Sequence, residues 1–190
     1  LSLYLLKIKS RYVKGTLTLS ICILMILLSL SFCFAVTYNR SYRLLDRLGG
    51  SKYYQLKISV TSSLYDYYRG KDHNIHSYND LAKFVTPNAL NPIAEDLRSI
   101  YKKDEDFANG VLMIVHQIPY NESKTQKYPI ETIVENEGDC DLFSFIAASI
   151  MKAGGIDVVL IYYEKISHMN VGVYLSDAPN GTRFGVYYSS

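Results

Sequence analysis

The sequence predicts an α+β fold in which a buried central helix packs on an antiparallel sheet, preceded by a membrane-spanning segment. Residues 142–151 are apolar on nearly all sides, as expected of a helix at the centre of a domain. Residues 156–163 and 168–175 have the apolar content or the alternation of strands. Residues 16–36 form a run of 21 residues without a charge, and about 20 apolar residues suffice to cross a bilayer core.

The apolar run is interpreted as an uncleaved signal anchor. A cleavable signal has an apolar core of about 7 to 15 residues and then a small-x-small site, which Phe32-Cys33-Phe34-Ala35-Val36 lacks. Basic residues are slightly more numerous before the run than just after it, which favours a cytoplasmic N-terminus. The rest of the chain is therefore expected outside the cytoplasm. The predicted regions are a basic tail (1–15), a membrane helix (16–36), a membrane-proximal linker or helical region (37–90) and a folded domain (91–190).

The charge balance argues against nucleic-acid binding. Four of the 20 Lys and Arg residues and none of the acidic residues lie before residue 39, so the chain from residue 39 onward has 16 basic and 18 acidic residues. A nucleic-acid binder needs a basic face to displace counterions from phosphates. Three cysteines are too few for a disulfide framework, and two lie in the apolar run, so Cys140 is the cysteine left for chemistry.

Caps and periodicity predict the helices of the folded domain. Asn91 is expected to cap a helix that begins at Pro92, and a second helix is expected to run from Asp104 until Pro119 stops it. Residues 130–134 are predicted to form a short helical turn. The central helix is expected to have Asp139 as its N-cap and to end at the Gly154-Gly155 pair.

Two or three antiparallel strands are predicted to follow the central helix. In residues 168–175, Met169 and every second residue after it are apolar, so that face should meet the core while His168 lies on the other face. Residues 177–182 have turn composition, and residues 183–188 are expected to begin a third strand.

Cys140 and His168 are the candidate catalytic pair. Cys140 is in the first turn of a predicted helix, where free N–H groups and the helix dipole favour a thiolate. A histidine on a neighbouring strand can take the thiol proton and return it to a leaving amine. The alternatives are that Cys140 is a small buried hydrophobic residue and that His168 is a surface residue at a strand edge.

Five segments surround the candidate pair in a fixed order. They are Val115-His116-Gln117-Ile118-Pro119-Tyr120, Tyr128-Pro129-Ile130-Glu131-Thr132, Gly138-Asp139-Cys140-Asp141, Lys152-Ala153-Gly154-Gly155 and His168-Met169-Asn170-Val171-Gly172-Val173. In order and spacing these segments resemble the transglutaminase-like superfamily, specifically its prokaryotic membrane-associated branch. The resemblance is strongest over residues 104–175.

The resemblance implies a papain-like fold and a Cys-His-acid triad that forms an acyl thioester from an amide. It makes Cys140 the nucleophile and His168 the general base and acid. The third triad residue is expected in the strand beyond Ser190, which would make the chain a fragment, because Asp177 is in a turn too close to His168. Gln117 is a tentative oxyanion donor, with a solvated residue at a helix end as the alternative.

Neither a metal site nor a cofactor is expected. Cys140, His168 and the nearby aspartates lack the paired spacing of zinc ligands, and His73 and His76 are interpreted as surface-loop residues. The predicted function is that of a membrane-anchored thiol enzyme, either a hydrolase such as a thiol protease or an acyltransferase, acting on protein or peptide amide bonds. The alternative is a catalytically inactive module of the same fold that binds a partner at the membrane.

Overall fold

The computed structural model describes residues 36–46 and 50–179, which form helices packed on two small antiparallel sheets. The first sheet pairs β1 (Thr37–Leu45) with β2 (Tyr53–Thr61), and the second pairs β3 (Asp157–Tyr163) with β4 (His168–Tyr174). The helices between them are α1 (Ser62–Arg69), α2 (Pro87–Ile100), α3 (Asp104–Val115), α4 (Pro129–Glu135) and α5 (Cys140–Ala153), with 3-10 helices at Tyr78–Phe84 and Glu164–Ile166. The predicted α+β class is confirmed.

The helix α5 is at the centre of the molecule, as predicted. It packs against α2, α3, α4, β3 and β4, and the residues from 144 to 151 are all buried. Asp139 is its N-cap, with a side chain that accepts a hydrogen bond from the N–H of Leu142. Gly154 is its C-cap, and Gly155 follows with a φ of 85°, a conformation that glycine adopts without strain.

The β1–β2 hairpin corrects the interpretation of residues 37–90 as a linker or helical region. Leu56, Ile58 and Val60 alternate with exposed residues along β2, and this face joins the core. Arg40 of β1 donates from Nε to the carbonyl of Ile133, which ties the hairpin to the end of α4. The abundance of Tyr, Ser and Arg in β1 conceals its alternation, because burial there depends on Tyr42 as well as Leu44.

The start of α2 also differs from the prediction. The helix begins at Pro87, four residues before the expected cap Asn91, and Pro92 lies inside it. Pro87 occupies the first turn, where a missing N–H has no partner to lose. The boundary expected at residues 90 and 91 therefore falls within a helix, and the described residues belong to one compact unit.

The predicted apolar face of β4 is most deeply buried at the start of the strand. Met169 is 1% exposed and Val171 packs partly against the core, whereas Val173 is 38% exposed. The expected third strand and the expected membrane helix, apart from Val36, lie outside the described residues. Within 36–46 and 50–179, no helix is long and apolar enough to cross a membrane.

Candidate active site

Cys140 is the first residue of α5, and the loop before it is held from two sides. Tyr120 forms a parallel bridge with Gly138, in which Gly138 donates to the carbonyl of Pro119 and accepts from the N–H of Asn121. A Cβ added to Gly138 would lie 3.1 Å from both Phe143 and Thr132, so the loop packs closely against its neighbours. The thiol position is therefore set by the helix and by this bridge together.

The sulfur of Cys140 is partly exposed and lies against the main chain at the start of β4. It is 4.0 Å from the carbonyl oxygen of Ser167, and the nearby backbone of Met169 lowers the thiol pKa. The sulfur is 3.5 Å from Oδ1 of Asp141 on its own helix. Ser167 and Met169 flank His168, so packing brings the thiol to the backbone on both sides of the predicted base.

The imidazole of His168 packs against a tyrosine rather than hydrogen-bonding to the sulfur. His168 pairs with Tyr163 across the sheet, and their rings stack with centroids 6.4 Å apart. Ser167, in the left-handed conformation with a φ of 46°, turns the chain into β4. Among the described residues, the structure gives no hydrogen bond from the Cys140 sulfur to an imidazole ring.

The pKa of the Cys140 thiol is raised, contrary to the expectation that the helix start lowers it. Burial is the largest cause; the backbone of Met169 opposes it, and the charge and hydrogen bond of Asp141 and the charge of Asp139 add to it. Removing the thiol from water and placing carboxylates beside it both disfavour the thiolate. The resting site therefore holds a neutral thiol that needs a base.

Gln117 contacts β1 and α3. Its Oε1 accepts from the N–H of Arg43 at 2.9 Å, and its Nε2 donates to the carbonyls of Arg43 and Met113 at 2.9 and 2.7 Å. Both ends of the amide are thus bound to main chain. This geometry gives no support to the tentative assignment of Gln117 as an oxyanion donor.

Asp177 follows the end of β4, whereas His168 begins that strand. Its neighbour Ser176 donates from the backbone to Asp104 at 3.3 Å, close to the start of α3. This position agrees with the interpretation of Asp177 as a turn residue. The third triad residue expected beyond Ser190 lies outside the described residues.

Tyr120 is an exposed aromatic residue near the thiol. The sequence did not indicate it as a site residue. Its ring is 64% exposed and packs edge-on against Phe143. Local desolvation raises the pKa of Tyr120, and Coulombic interactions with Cys140, when its thiol is ionised, and with Glu122, Asp139 and Asp141 add to this. The only local signal is an aromatic residue directly after Pro119.

His73 lies in a loop, as predicted, but it also has a buried partner that the sequence did not indicate. Its Nε2 is 2.8 Å from Oε2 of Glu131, which is 5% exposed and also accepts the N–H of Tyr128. Both histidines lie in the predicted loop; His76 is exposed, whereas the side chain of His73 is 25% exposed and is bound to Glu131. No local sequence signal identifies this pair, because its partners are 58 residues apart.

No group of three or more His, Cys, Asp or Glu side chains within 36–46 and 50–179 could hold a metal ion. In comparisons with known proteins, no family model, curated protein or solved structure matches the chain. The resemblance to the transglutaminase-like superfamily therefore stays a prediction based on the quoted segments.

Proposed function

We propose that the protein is a membrane-anchored, transglutaminase-like thiol enzyme that acts on amide bonds of proteins or peptides through a cysteine thioester. One observation carries the proposal: the Cys140 sulfur, at the start of a buried helix, contacts the backbone on both sides of His168. A nucleophile at a helix start beside a histidine-bearing strand is one arrangement that supports acyl transfer.

In the proposed reaction, His168 removes the thiol proton as the sulfur attacks the amide carbon. The amide C–N bond then breaks, His168 returns the proton to the leaving amine, and a thioester remains on Cys140. Water or a second amine then attacks the thioester, the C–S bond breaks, and His168 transfers the proton of the attacking group to the sulfur, which gives hydrolysis or transfer and regenerates the thiol. The raised thiol pKa makes this base essential, and catalytic hydrogen bonds that are long in the free enzyme often form only with substrate.

The remaining parts of the proposal depend on the sequence. We infer that residues 16–36 anchor the chain, that the folded part is extracytoplasmic, and that its core is papain-like. No cofactor is needed, because thiol, imidazole and substrate supply every group in the reaction.

The test measures acylation of Cys140 by p-nitrophenyl acetate. The full chain is kept in detergent and carries Cys22→Ser and Cys33→Ser, so that Cys140 is the sole thiol. Release of p-nitrophenolate gives the rate, and mass spectrometry locates the acetyl group. Acylation should be lost in Cys140→Ser and slowed about 10²- to 10⁴-fold in His168→Ala, the usual contribution of a general base.

His116→Ala is the matched control, because His116 is an exposed histidine that follows α3. It should acylate at the unsubstituted rate. The proposal is overturned if Cys140 acylates no faster than free cysteine and His168→Ala has no effect.

A catalytically inactive module that binds a partner is the second candidate. It is favoured by the raised pKa of the Cys140 thiol and by the stacking of His168 on Tyr163. The acylation experiment separates the two, because the module requires no response to His168→Ala.

A further inference from the structure

Ser144 is a buried hydroxyl in the predominantly apolar central helix. It lies four residues after Cys140, one turn further along the same face of α5. Ser144 is 6% exposed, and its Oγ donates to the carbonyl oxygen of Met169 at 3.1 Å. A buried hydroxyl that is paired in this way contributes to fixing the two elements it joins.

Cys140 and Ser144 hold the same residue of β4. The backbone of Met169 lies beside the Cys140 sulfur, where it lowers the thiol pKa, and its carbonyl accepts the Ser144 hydroxyl at 3.1 Å. Met169 directly follows His168, so the two contacts fix the main chain from which the imidazole extends. Ser144 is hydrogen-bonded to neither the sulfur nor the ring in the described residues.

We propose that Ser144 is a positioning residue, which holds the start of β4 against α5 so that the imidazole of His168 can reach the sulfur of Cys140. This inference rests on the proposed function. Without the hydroxyl, the buried carbonyl of Met169 loses its partner and the start of β4 can move. A shift of about 1 Å in a catalytic group can reduce a rate about 10²-fold.

Ser149 provides a matched control on the same helix. It is 0% exposed, and its Oγ accepts one hydrogen bond from the N–H of Thr86 at 2.9 Å. Ser149→Ala therefore removes a buried hydroxyl and a hydrogen bond from α5 without touching β4. Any effect specific to Ser144→Ala cannot come from weakening the helix alone.

The experiment compares Ser144→Ala, Ser149→Ala and Ser144→Thr in the full chain with Cys140 as the sole thiol. The first readout is the pH profile of acylation by p-nitrophenyl acetate. Ser144→Ala should slow acylation at least tenfold and give a profile like that of His168→Ala, since the base no longer reaches the sulfur. Ser149→Ala should change the rate less than twofold, and Ser144→Thr, which keeps the hydroxyl, should restore most of it.

The second readout is the pH profile of iodoacetamide alkylation of Cys140, which needs no enzymatic activity. The backbone of Met169 lowers the thiol pKa, so its displacement in Ser144→Ala should move the profile to higher pH, whereas Ser149→Ala should not. Equal profiles for the two alanine variants in both readouts would overturn the positioning role. If the unsubstituted chain does not acylate but the alkylation profile of Ser144→Ala is shifted, the proposed function is overturned, whereas the positioning of β4 by Ser144 is not.

Thermal unfolding of each variant checks that it is folded. If Ser144→Ala does not fold, Ser144→Thr and Ser144→Val make the same comparison, because their side chains match in shape and only threonine has a hydroxyl. Indistinguishable profiles for these two variants would also refute the role of Ser144.

Discussion

The pair of His73 and Glu131 gives a prediction about stability whose size follows from the structure. Nε2 of His73 is 2.8 Å from Oε2 of Glu131, and their side chains are 25% and 6% exposed. A hydrogen bond to a charged group contributes about 1.5 to 3 kcal/mol to stability. Because the glutamate is buried, His73→Ala leaves its carboxylate with fewer hydrogen-bond partners.

We therefore expect His73→Ala to lower the free energy of unfolding by about 2 kcal/mol. For a folded unit of this size, each kcal/mol corresponds to about 2 to 4 °C in Tm, so Tm should fall by about 4 to 8 °C. Circular dichroism during heating and urea titration at a fixed pH give both quantities. His76→Ala is the control, because His76 is an exposed histidine in the same loop and its loss should change stability by less than about 0.5 kcal/mol.

Part of the effect of His73→Ala comes from the ring, which packs edge-on against Tyr128. A double-mutant cycle with Glu131→Gln isolates the pair, since glutamine keeps an oxygen that can accept the N–H of Tyr128. The coupling energy should be about 1 to 2 kcal/mol, within the usual range for residues in contact. A coupling energy near zero, or equal losses from His73→Ala and His76→Ala, would refute the reasoning.

Two further predictions concern the thiol and the end of α5. Asp141→Asn should shift the pH profile of Cys140 alkylation to lower pH, because the negative charge and hydrogen bond of Asp141 raise the thiol pKa. A pH profile that is unchanged or shifted to higher pH contradicts this. Gly154→Ala should cost about 1 to 3 kcal/mol in urea unfolding, because its Cβ would lie 2.1 Å from the buried ring of Phe107. Gly70→Ala is its control, since both caps have a φ of −80° but the Cβ at Gly70 would meet its nearest neighbour at 3.4 Å; equal losses would exclude the clash as the cause.

The sequence predicted well the elements whose signals are local. The first turn of α5 requires a side chain that accepts backbone N–H groups, and Asp139 supplies it. The end of α5 requires a left-handed residue, which Gly155 supplies. The start of α3 at Asp104 and of β4 at His168 follows in the same way from charge and alternation in neighbouring residues.

Sequence reasoning failed where the deciding partner is distant. Alternation along residues 56–60 was a usable signal for β2, but the partly polar composition of β1 concealed its pairing. At α2, two prolines could begin the helix, and Pro87 is the one that does so. The pairing of His73 with Glu131 was not predicted because the two residues are distant in the chain.

The sequence by itself determined which residue begins the central helix and which histidine begins the neighbouring strand, because caps and periodicity depend on residues a few positions apart. Only the tertiary structure decided what surrounds the sulfur: the backbone at Ser167 and Met169, and a burial that raises the thiol pKa. It also decided that Ser144 bonds the same strand and that Gln117 is bound elsewhere. The physical reason is that desolvation and hydrogen bonding between distant segments arise only when the chain packs, so no local pattern encodes them.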